Sequence, residues 1–249
     1  MKRLTLLALW LLAGSALAET EEPPYAFKPD TGNQASLQRG ARDFMAYCSG
    51  CHSLKYLRYN RVGKDLGIPD ELLKVNLMFT SDKLGDPIVS SMPEGSGNPA
   101  APSDSEKWFG RPPPDLSLSA RERGPDWIYS YLLTFYLDPS RPNGVNNLVL
   151  PSAAMPHVLG DLQGWQTMEK PAEGEHEGHH KPKFELVQPG SLSPNEYKEF
   201  VGDLTNFLVY AGEPGRNQRM ALGAPVLLFT LIFGILAYLL KVEYWKDVH

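Results

Sequence analysis

Two cysteines and a histidine form the most informative pattern in the chain, Cys48-Ser49-Gly50-Cys51-His52. Two thiols three positions apart, followed directly by a histidine, are the attachment pattern of a c-type haem. Cys48 and Cys51 would bond to the two vinyl groups, and His52 would lie beneath the iron as its proximal ligand. The rival interpretation is a thiol–disulfide redox site, which needs the two cysteines but not the histidine. The motif therefore predicts one covalently bound haem c.

A haem iron that carries electrons often has a methionine as its sixth ligand, because a thioether stabilises ferrous iron and raises the reduction potential. The candidates for this ligand downstream of the motif are Met78, Met92, Met155 and Met168. Met78 lies in an apolar cluster typical of a core, and Met168 adjoins a charged tract. Met92 and Met155 both precede a proline, which stiffens the backbone. Small residues before Met155 favour it as the ligand, and Met92, which opens a Gly/Pro/Ser-rich loop, is the alternative.

The segment before the motif has the spacing of a helix. Residues 35–47 repeat apolar side chains along one helical face that continues to Cys48. A thiol–disulfide site would instead need a strand there, so the helix favours the haem interpretation.

Two further helices are predicted. Residues 126–137 form a short amphipathic pattern rich in aromatic side chains. Residues 193–196 read Ser-Pro-Asn-Glu, a capping box with proline at the first helical position, and a helical apolar pattern follows until Gly212 and Pro214. Because no convincing alternating strand pattern is present, we expect an all-α fold.

Both ends of the chain carry apolar segments that lie outside the predicted haem domain. Residues 1–18 combine two basic residues, an apolar run and a small-residue cleavage site, the pattern of a secretory signal peptide. Residues 220–240 contain no charged side chain and are long enough to cross a bilayer as one transmembrane helix. We therefore expect the haem domain, residues 19–219, in the periplasm. Residues 241–249 would form a cytoplasmic tail below the inner membrane.

Composition excludes several classes of protein. The net charge is −5, and no basic stripe is available to neutralise phosphates, so we expect no nucleic-acid partner. Hydrophobic residues make up 42% of the chain, which is too many for a disordered protein. The 22 prolines exceed the usual share and predict long Pro/Gly-rich loops.

Several stretches resemble the cytochrome c1 family, in the family's order along the chain. The resemblance extends over nearly all of the chain that remains after the signal peptide. It rests on the haem motif, a Pro-Pro-Pro-Asp-Leu-Ser segment, the helix after it and an Ala-Met-Pro segment: residues 39–54, 111–117, 126–134 and 154–156. A single C-terminal span completes the resemblance.

The resemblance implies a class I cytochrome c-like haem domain in the haem subunit of ubiquinol–cytochrome c reductase, respiratory complex III. Such a subunit transfers electrons and is not an enzyme on its own. The resemblance also implies three protein partners: the Rieske iron–sulfur protein as donor, a soluble periplasmic c-type cytochrome as acceptor, and cytochrome b in the membrane.

Position by position, the resemblance makes Met155 the sixth iron ligand and Arg123 the partner of a haem propionate, a pairing that suits the guanidinium fork. Trp127 stands where mitochondrial relatives carry a tyrosine.

Residues 169–182 depart from the family. This stretch is rich in Glu, His, Gly and Pro, which is typical of a solvated insertion. Its imidazole and carboxylate groups are also competent ligands for a transition metal, which is the alternative.

Overall fold

The computed structural model describes residues 22–92, 103–169 and 183–247. About half of these residues are helical. The helices are α1 (Gln34–Tyr47), α2 (Tyr59–Leu66), α3 (Asp70–Asn76), α4 (Asp104–Phe109), α5 (Ser119–Glu122), α6 (Pro125–Leu133), α7 (Gly160–Gln163), α8 (Pro194–Gly212) and α9 (Arg216–Tyr244). The predicted signal peptide lies outside the described residues, as does nearly all of the Glu/His-rich stretch.

The described residues also contain strands, which the sequence analysis did not predict. They are β1 (Leu54–Arg58), β2 (Pro87–Ile88), β3 (Phe135–Leu137), β4 (Val145–Asn147), β5 (Gly164–Met168) and β6 (Phe184–Pro189). They pair in three antiparallel two-stranded sheets, β1–β2, β3–β4 and β5–β6. The expectation of an all-α fold is therefore not confirmed. These strands have two to six residues, too short to produce a clear alternating pattern.

Helices α1 and α8 cross at the centre of the domain. The crossing is close because Gly40 has no side chain: a Cβ there would collide with the carbonyl oxygen of Asp203. Beside it, Arg39 donates two hydrogen bonds to the carboxylate of Asp203, at 2.5 and 2.9 Å. Phe44 and Phe207 are fully buried, with their ring centres 5.7 Å apart. The predicted helix at residues 35–47 is thus present as α1, and it packs its apolar face on α8.

Helix α8 begins at the predicted capping box. Ser193 accepts a hydrogen bond from the backbone N–H of Glu196, the carboxylate of Glu196 accepts one from the N–H of Ser193, and Pro194 is the first helical residue. The reciprocal bonds satisfy two N–H groups that the helix itself leaves without partners.

Helix α6 is shorter than predicted. It ends at Leu133 rather than at Leu137, and the last three residues of the expected helix form strand β3. Side chains from later in the chain take the carbonyl groups at this helix end: Asn147 donates to Tyr131 at 2.7 Å, and Gln163 donates to Leu133 at 3.0 Å. Because these amides replace the next helical turn, the chain can leave the helix without unpaired carbonyls.

Helix α9 contains the predicted span. It has 29 residues, a mean hydropathy of 2.3 in its most apolar window and no buried side chains, so it is a candidate membrane anchor. Its first turn is attached to the preceding domain, because Asn217 and Thr31 exchange hydrogen bonds of 2.8 and 2.9 Å. The carboxylate of Glu213 also pairs with Arg219 and, at 3.6 Å, with Arg121.

Candidate functional site

The cysteine–histidine motif occupies the turn that ends α1. Cys48 caps the helix, and the backbone N–H of His52 donates to the Cys48 carbonyl at 2.8 Å. Both thiols are free and half-buried. Burial, assisted by Asp43, raises the pKa of Cys48 to about 12, and burial also raises the pKa of Cys51. A thiol–disulfide site needs a cysteine with a lowered pKa, so this environment argues against the redox alternative.

The imidazole of His52 is buried and has a defined hydrogen-bond partner. Its Nδ1 lies 2.8 Å from the carbonyl oxygen of Pro114. A carbonyl only accepts, so Nδ1 carries the proton and Nε2 keeps its lone pair. Burial lowers the pKa of His52, although the Pro114 bond opposes this shift, and the ring is therefore neutral at pH 7. A neutral imidazole whose second nitrogen is tied to a backbone carbonyl is the usual form of a metal-bound histidine.

The Pro-Pro-Pro-Asp-Leu-Ser segment is held against the residues that follow the motif. The carboxylate of Asp115 accepts from the N–H of Lys55 and of Ser117, each at 2.9 Å. The N–H of Leu116 donates to the carbonyl of Ser53, also at 2.9 Å. These bonds fix the Pro114 carbonyl relative to His52. The sequence did not predict that this segment positions His52, because the two are 62 positions apart in the chain.

Met155 lies in a second, smaller apolar cluster. It is partly exposed and packs against a buried group of Tyr131, Phe135, Val145 and Ala153. Trp127 packs against this cluster and also against the main core, which contacts Cys48. Trp127 shares this position with Leu132, and both side chains connect the apolar surroundings of the cysteine motif with those of Met155.

Arg123 follows helix α5 and is exposed. Its guanidinium carbon lies 4.4 Å from the ring centre of Trp127, close enough for a cation–π contact. The Trp127 ring in turn stacks on Tyr131, with centres 5.0 Å apart and an angle of 8° between planes. The stack therefore links Arg123, through Trp127, to Tyr131, a member of the apolar cluster against which Met155 packs.

The other methionines lie in different environments. Met78 is buried in the main core, as its apolar neighbours indicated. Met168 is the last residue of strand β5 and pairs with Phe184, so its backbone is regular strand. Met92 is partly exposed, and the neighbouring Ser91 hydroxyl donates to the carbonyl of Gly50 within the haem motif at 3.4 Å. Met92 is thus near the motif and keeps its place as the alternative ligand.

His157 is a second residue that sequence reasoning missed. Its ring stacks on Phe135, with centres 4.9 Å apart, and its edge meets Trp165. Burial lowers its pKa to about 4, so it is neutral at pH 7. It fixes the backbone two residues beyond Met155. An uncharged buried histidine has no sequence signature that separates it from a solvated one.

Taken together, the donor groups fit a c-type haem. Two free thiols and one neutral imidazole with an available Nε2 lie in a single turn. Trp127 and Leu132 join the main core, which contacts Cys48, to the smaller cluster, which contacts the thioether side chain of Met155. Soft thioether and imidazole ligands suit haem iron.

Comparison with known proteins gives a consistent result. The Cytochrome C1 family matches residues 28–163 and 185–248. A cytochrome c1 from Allochromatium vinosum is 51% identical over 254 residues, covering 100% of both chains. The ammonia monooxygenase gamma subunit of Nitrosomonas europaea is 42% identical and covers 100% of this chain and 99% of that protein. A solved chain described as hyperthermophilic respiratory Complex III has 17% identity and a TM-score of 0.45, covering 100% of this chain and 96% of the other.

The family match leaves out residues 164–184, which contain the whole Glu/His-rich stretch that the sequence analysis identified as a departure. On both sides of this gap the match covers the haem motif, α6, Met155 and α9. The chain therefore belongs to the cytochrome c1 family, the electron-transfer haem subunits of respiratory complex III that are not catalytic on their own.

Proposed function

We propose that the chain is a membrane-anchored monohaem c-type cytochrome of ubiquinol–cytochrome c reductase. It accepts an electron from the Rieske iron–sulfur protein and passes it to a soluble periplasmic c-type cytochrome. The observation that carries this proposal is the hydrogen bond from Nδ1 of His52 to the Pro114 carbonyl, beside two free thiols. This bond leaves Nε2 available to an iron while the thiols are available to the vinyl groups.

Each site residue then has a separate task. Cys48 and Cys51 would hold the haem covalently, and His52 and Met155 would bind its iron. When bound, the haem would supply a centre that takes up and releases one electron. The protein keeps the His52 ring in one tautomer and one orientation through Pro114. Because His52 and Met155 would both bind the iron, electrons would pass without a substrate binding to it.

Arg123 pairs with a haem propionate in this proposal. Its guanidinium contacts Trp127, which packs against the same apolar cluster as Met155. A charged fork near a carboxylate gives a short, directional ion pair. The pairing would also compensate some of the negative charge that the propionates add to an already acidic chain.

The proposed topology follows the apolar segments. Residues 1–18 are removed on export, residues 19–219 remain in the periplasm, residues 220–240 cross the inner membrane and residues 241–249 face the cytoplasm. Cytochrome b is the proposed partner of the transmembrane helix. The contacts of Glu213 with Arg121 and Arg219 support a domain held next to the bilayer, because they join it to the first turn of α9.

Intact mass under denaturing conditions tests the cofactor and the processing together. We expect a chain that starts at Glu19 and carries the mass of one haem. Replacement of both cysteines by alanine should remove that added mass. A mass without haem, or one that includes residues 1–18, would contradict the proposal.

Purification from detergent-solubilised membranes tests the partners. We expect cytochrome b and the Rieske protein to co-purify and quinol-dependent reduction of a soluble cytochrome to accompany them. The Nitrosomonas europaea relative motivates one competing function, that of a monooxygenase subunit. Co-purification with a monooxygenase in place of cytochrome b would favour that function instead.

A further inference from the structure

The loop that carries Met155 contains a strained residue. We define the methionine loop as residues 148–156, between strand β4 and helix α7. Ser152, three positions before Met155, has a φ of 63°, and it is the only residue other than glycine with a positive φ in the part of the chain that the structure describes. Non-glycine residues adopt this conformation at a cost and keep it only where the surroundings enforce it. The contacts that enforce it are therefore part of the site.

Asn147, at the end of β4, holds the first part of the methionine loop. Its side chain is completely buried. Its Oδ1 accepts from the N–H of Val149 at 2.9 Å and from the N–H of Leu150 at 3.1 Å. Its Nδ2 donates to the carbonyl of Tyr131 at 2.7 Å, at the end of helix α6. One amide thus joins the start of the methionine loop to the end of α6, whose Tyr131 belongs to the apolar cluster against which Met155 packs.

Two neighbours complete the attachment at Ser152. The Oδ1 of Asn146 accepts from the N–H of Ser152 at 2.8 Å, and Arg141 donates to its carbonyl at 3.4 Å. Asn146 is itself oriented by a 2.9 Å bond to the carboxylate of Asp138. The N–H and the carbonyl of Ser152 are therefore both bonded to residues outside the methionine loop.

We propose that Asn147 is a positioning residue for the sixth iron ligand, which it keeps on the iron by fixing the methionine loop to the end of helix α6. This inference rests on the proposed function, in which Met155 binds the iron. Buried hydrogen bonds in a low-dielectric site specify one arrangement, because an unmade bond leaves a desolvated polar group. Loss of the Asn147 side chain would remove the bonds to the N–H groups of Val149 and Leu150. The carbonyl of Tyr131 would keep only the 3.4 Å bond from the N–H of Thr134.

The chemistry at this position requires an amide. Aspartate would keep the acceptor for the two N–H groups but would place a carboxylate oxygen against the Tyr131 carbonyl. Alanine would remove donor and acceptor together. We therefore expect Met155 to dissociate from the iron more often in both variants than in the unaltered protein, and most often in Asn147→Ala. Asn143→Ala is the matched control, since Asn143 is exposed and accepts only a 3.4 Å bond from Val145.

The test compares these variants in the detergent-solubilised complex by three readouts other than turnover. These are the weak sulfur–iron band at the red end of the oxidised spectrum, carbon monoxide binding to the reduced haem, and the midpoint potential. We expect Asn147→Ala to lower the band, to raise the carbon monoxide-binding fraction by about tenfold and to lower the potential. Asn146→Ala, which removes the bonds to Ser152 and Asp138 but keeps the Asn147 side chain, should change all three less, and Asn143→Ala should change none.

Met155→Leu separates failure of this inference from failure of the proposed function. If Met155→Leu leaves the red band intact, Met155 is not the ligand and the proposed function is wrong at this residue. If Met155→Leu removes the band while Asn147→Ala and Asn147→Asp only lower the melting temperature, Asn147 is a structural residue and this inference is overturned. Should Asn147→Ala not fold, Asn147→Asp and Asn146→Ala give the same comparison.

Discussion

Nδ1 of His52 donates a hydrogen bond of 2.8 Å to the carbonyl oxygen of Pro114, which lies 62 positions later in the chain. The bond selects the tautomer that leaves Nε2 available and keeps the ring from rotating. Pro114 holds this position because the next residue, Asp115, is bonded to the backbone of Lys55 and Ser117. The orientation of His52, the proposed proximal ligand, thus depends on a segment that contains no proposed iron ligand.

The first prediction concerns Asp115. Asp115→Ala should lower the free energy of unfolding by about 2–3 kcal/mol, because it removes two hydrogen bonds to a charged acceptor. Asp115→Asn keeps one acceptor oxygen and should lose about half as much. Denaturant unfolding of the detergent-solubilised protein measures both. Equal stability of all three proteins would show that the segment is not held by this carboxylate.

The second prediction concerns Arg123. If its guanidinium pairs with a propionate, Arg123→Gln should lower the midpoint potential by about 40 mV, which is on the order of 1 kcal/mol for one electron, because a nearby positive charge favours the ferrous state. Arg123→Lys should keep most of the potential. Arg121→Gln is the matched control, since Arg121 faces Glu213 instead. Identical shifts in the Arg121 and Arg123 variants would indicate only a general effect of charge.

Helices α1 and α8 were predictable because their signals are local. Apolar spacing defined the buried face of α1, and the capping box at Ser193 and Glu196 defined the first turn of α8. The C-terminal end of α6 was not predictable in the same way. Phe135 continues the helical spacing of Tyr131, but amides from Asn147 and Gln163, distant in sequence, end the helix there.

The residues of the candidate site also differ in whether their signals are local or come from residues distant in the sequence. Cys48, Cys51 and His52 form one contiguous motif, so their types and spacing alone predict haem attachment. Pro114 and Asn147 act through tertiary hydrogen bonds, and a backbone carbonyl or a single asparagine has no distinguishing sequence pattern.

The third prediction concerns the strained backbone at Ser152. Glycine adopts a φ of 63° without steric cost, so Ser152→Gly should stabilise the protein by about 1 kcal/mol. Ser152→Ala keeps a Cβ and should not stabilise it. The melting temperatures of the two variants make the comparison. A Ser152→Gly protein no more stable than Ser152→Ala would mean that no strain is stored at this residue.

The fourth prediction concerns the Glu/His-rich stretch. Deletion of residues 173–180 should leave quinol-dependent cytochrome reduction unchanged, because strands β5 and β6 pair up to the two ends of the stretch. Met168 pairs with Phe184, and the N–H of Glu169 donates to the Lys183 carbonyl at 3.0 Å. The assay is run on the purified complex with haem content measured in parallel. A large loss of rate with full haem content would indicate a docking surface or a metal site in this stretch.

The fifth prediction tests the central claim, that His52 and Met155 hold the iron of an electron carrier, by redox titration of Met155→Leu and Met92→Leu. Cys48, Cys51 and His52 should retain the haem in both variants. We expect the midpoint potential of Met155→Leu to fall by about 0.2 V, or about 4.6 kcal/mol for one electron, because axial ligands set haem potentials over a range of about 0.8 V. Met92→Leu should keep its potential. A large fall in Met92→Leu together with an unchanged Met155→Leu would contradict the account.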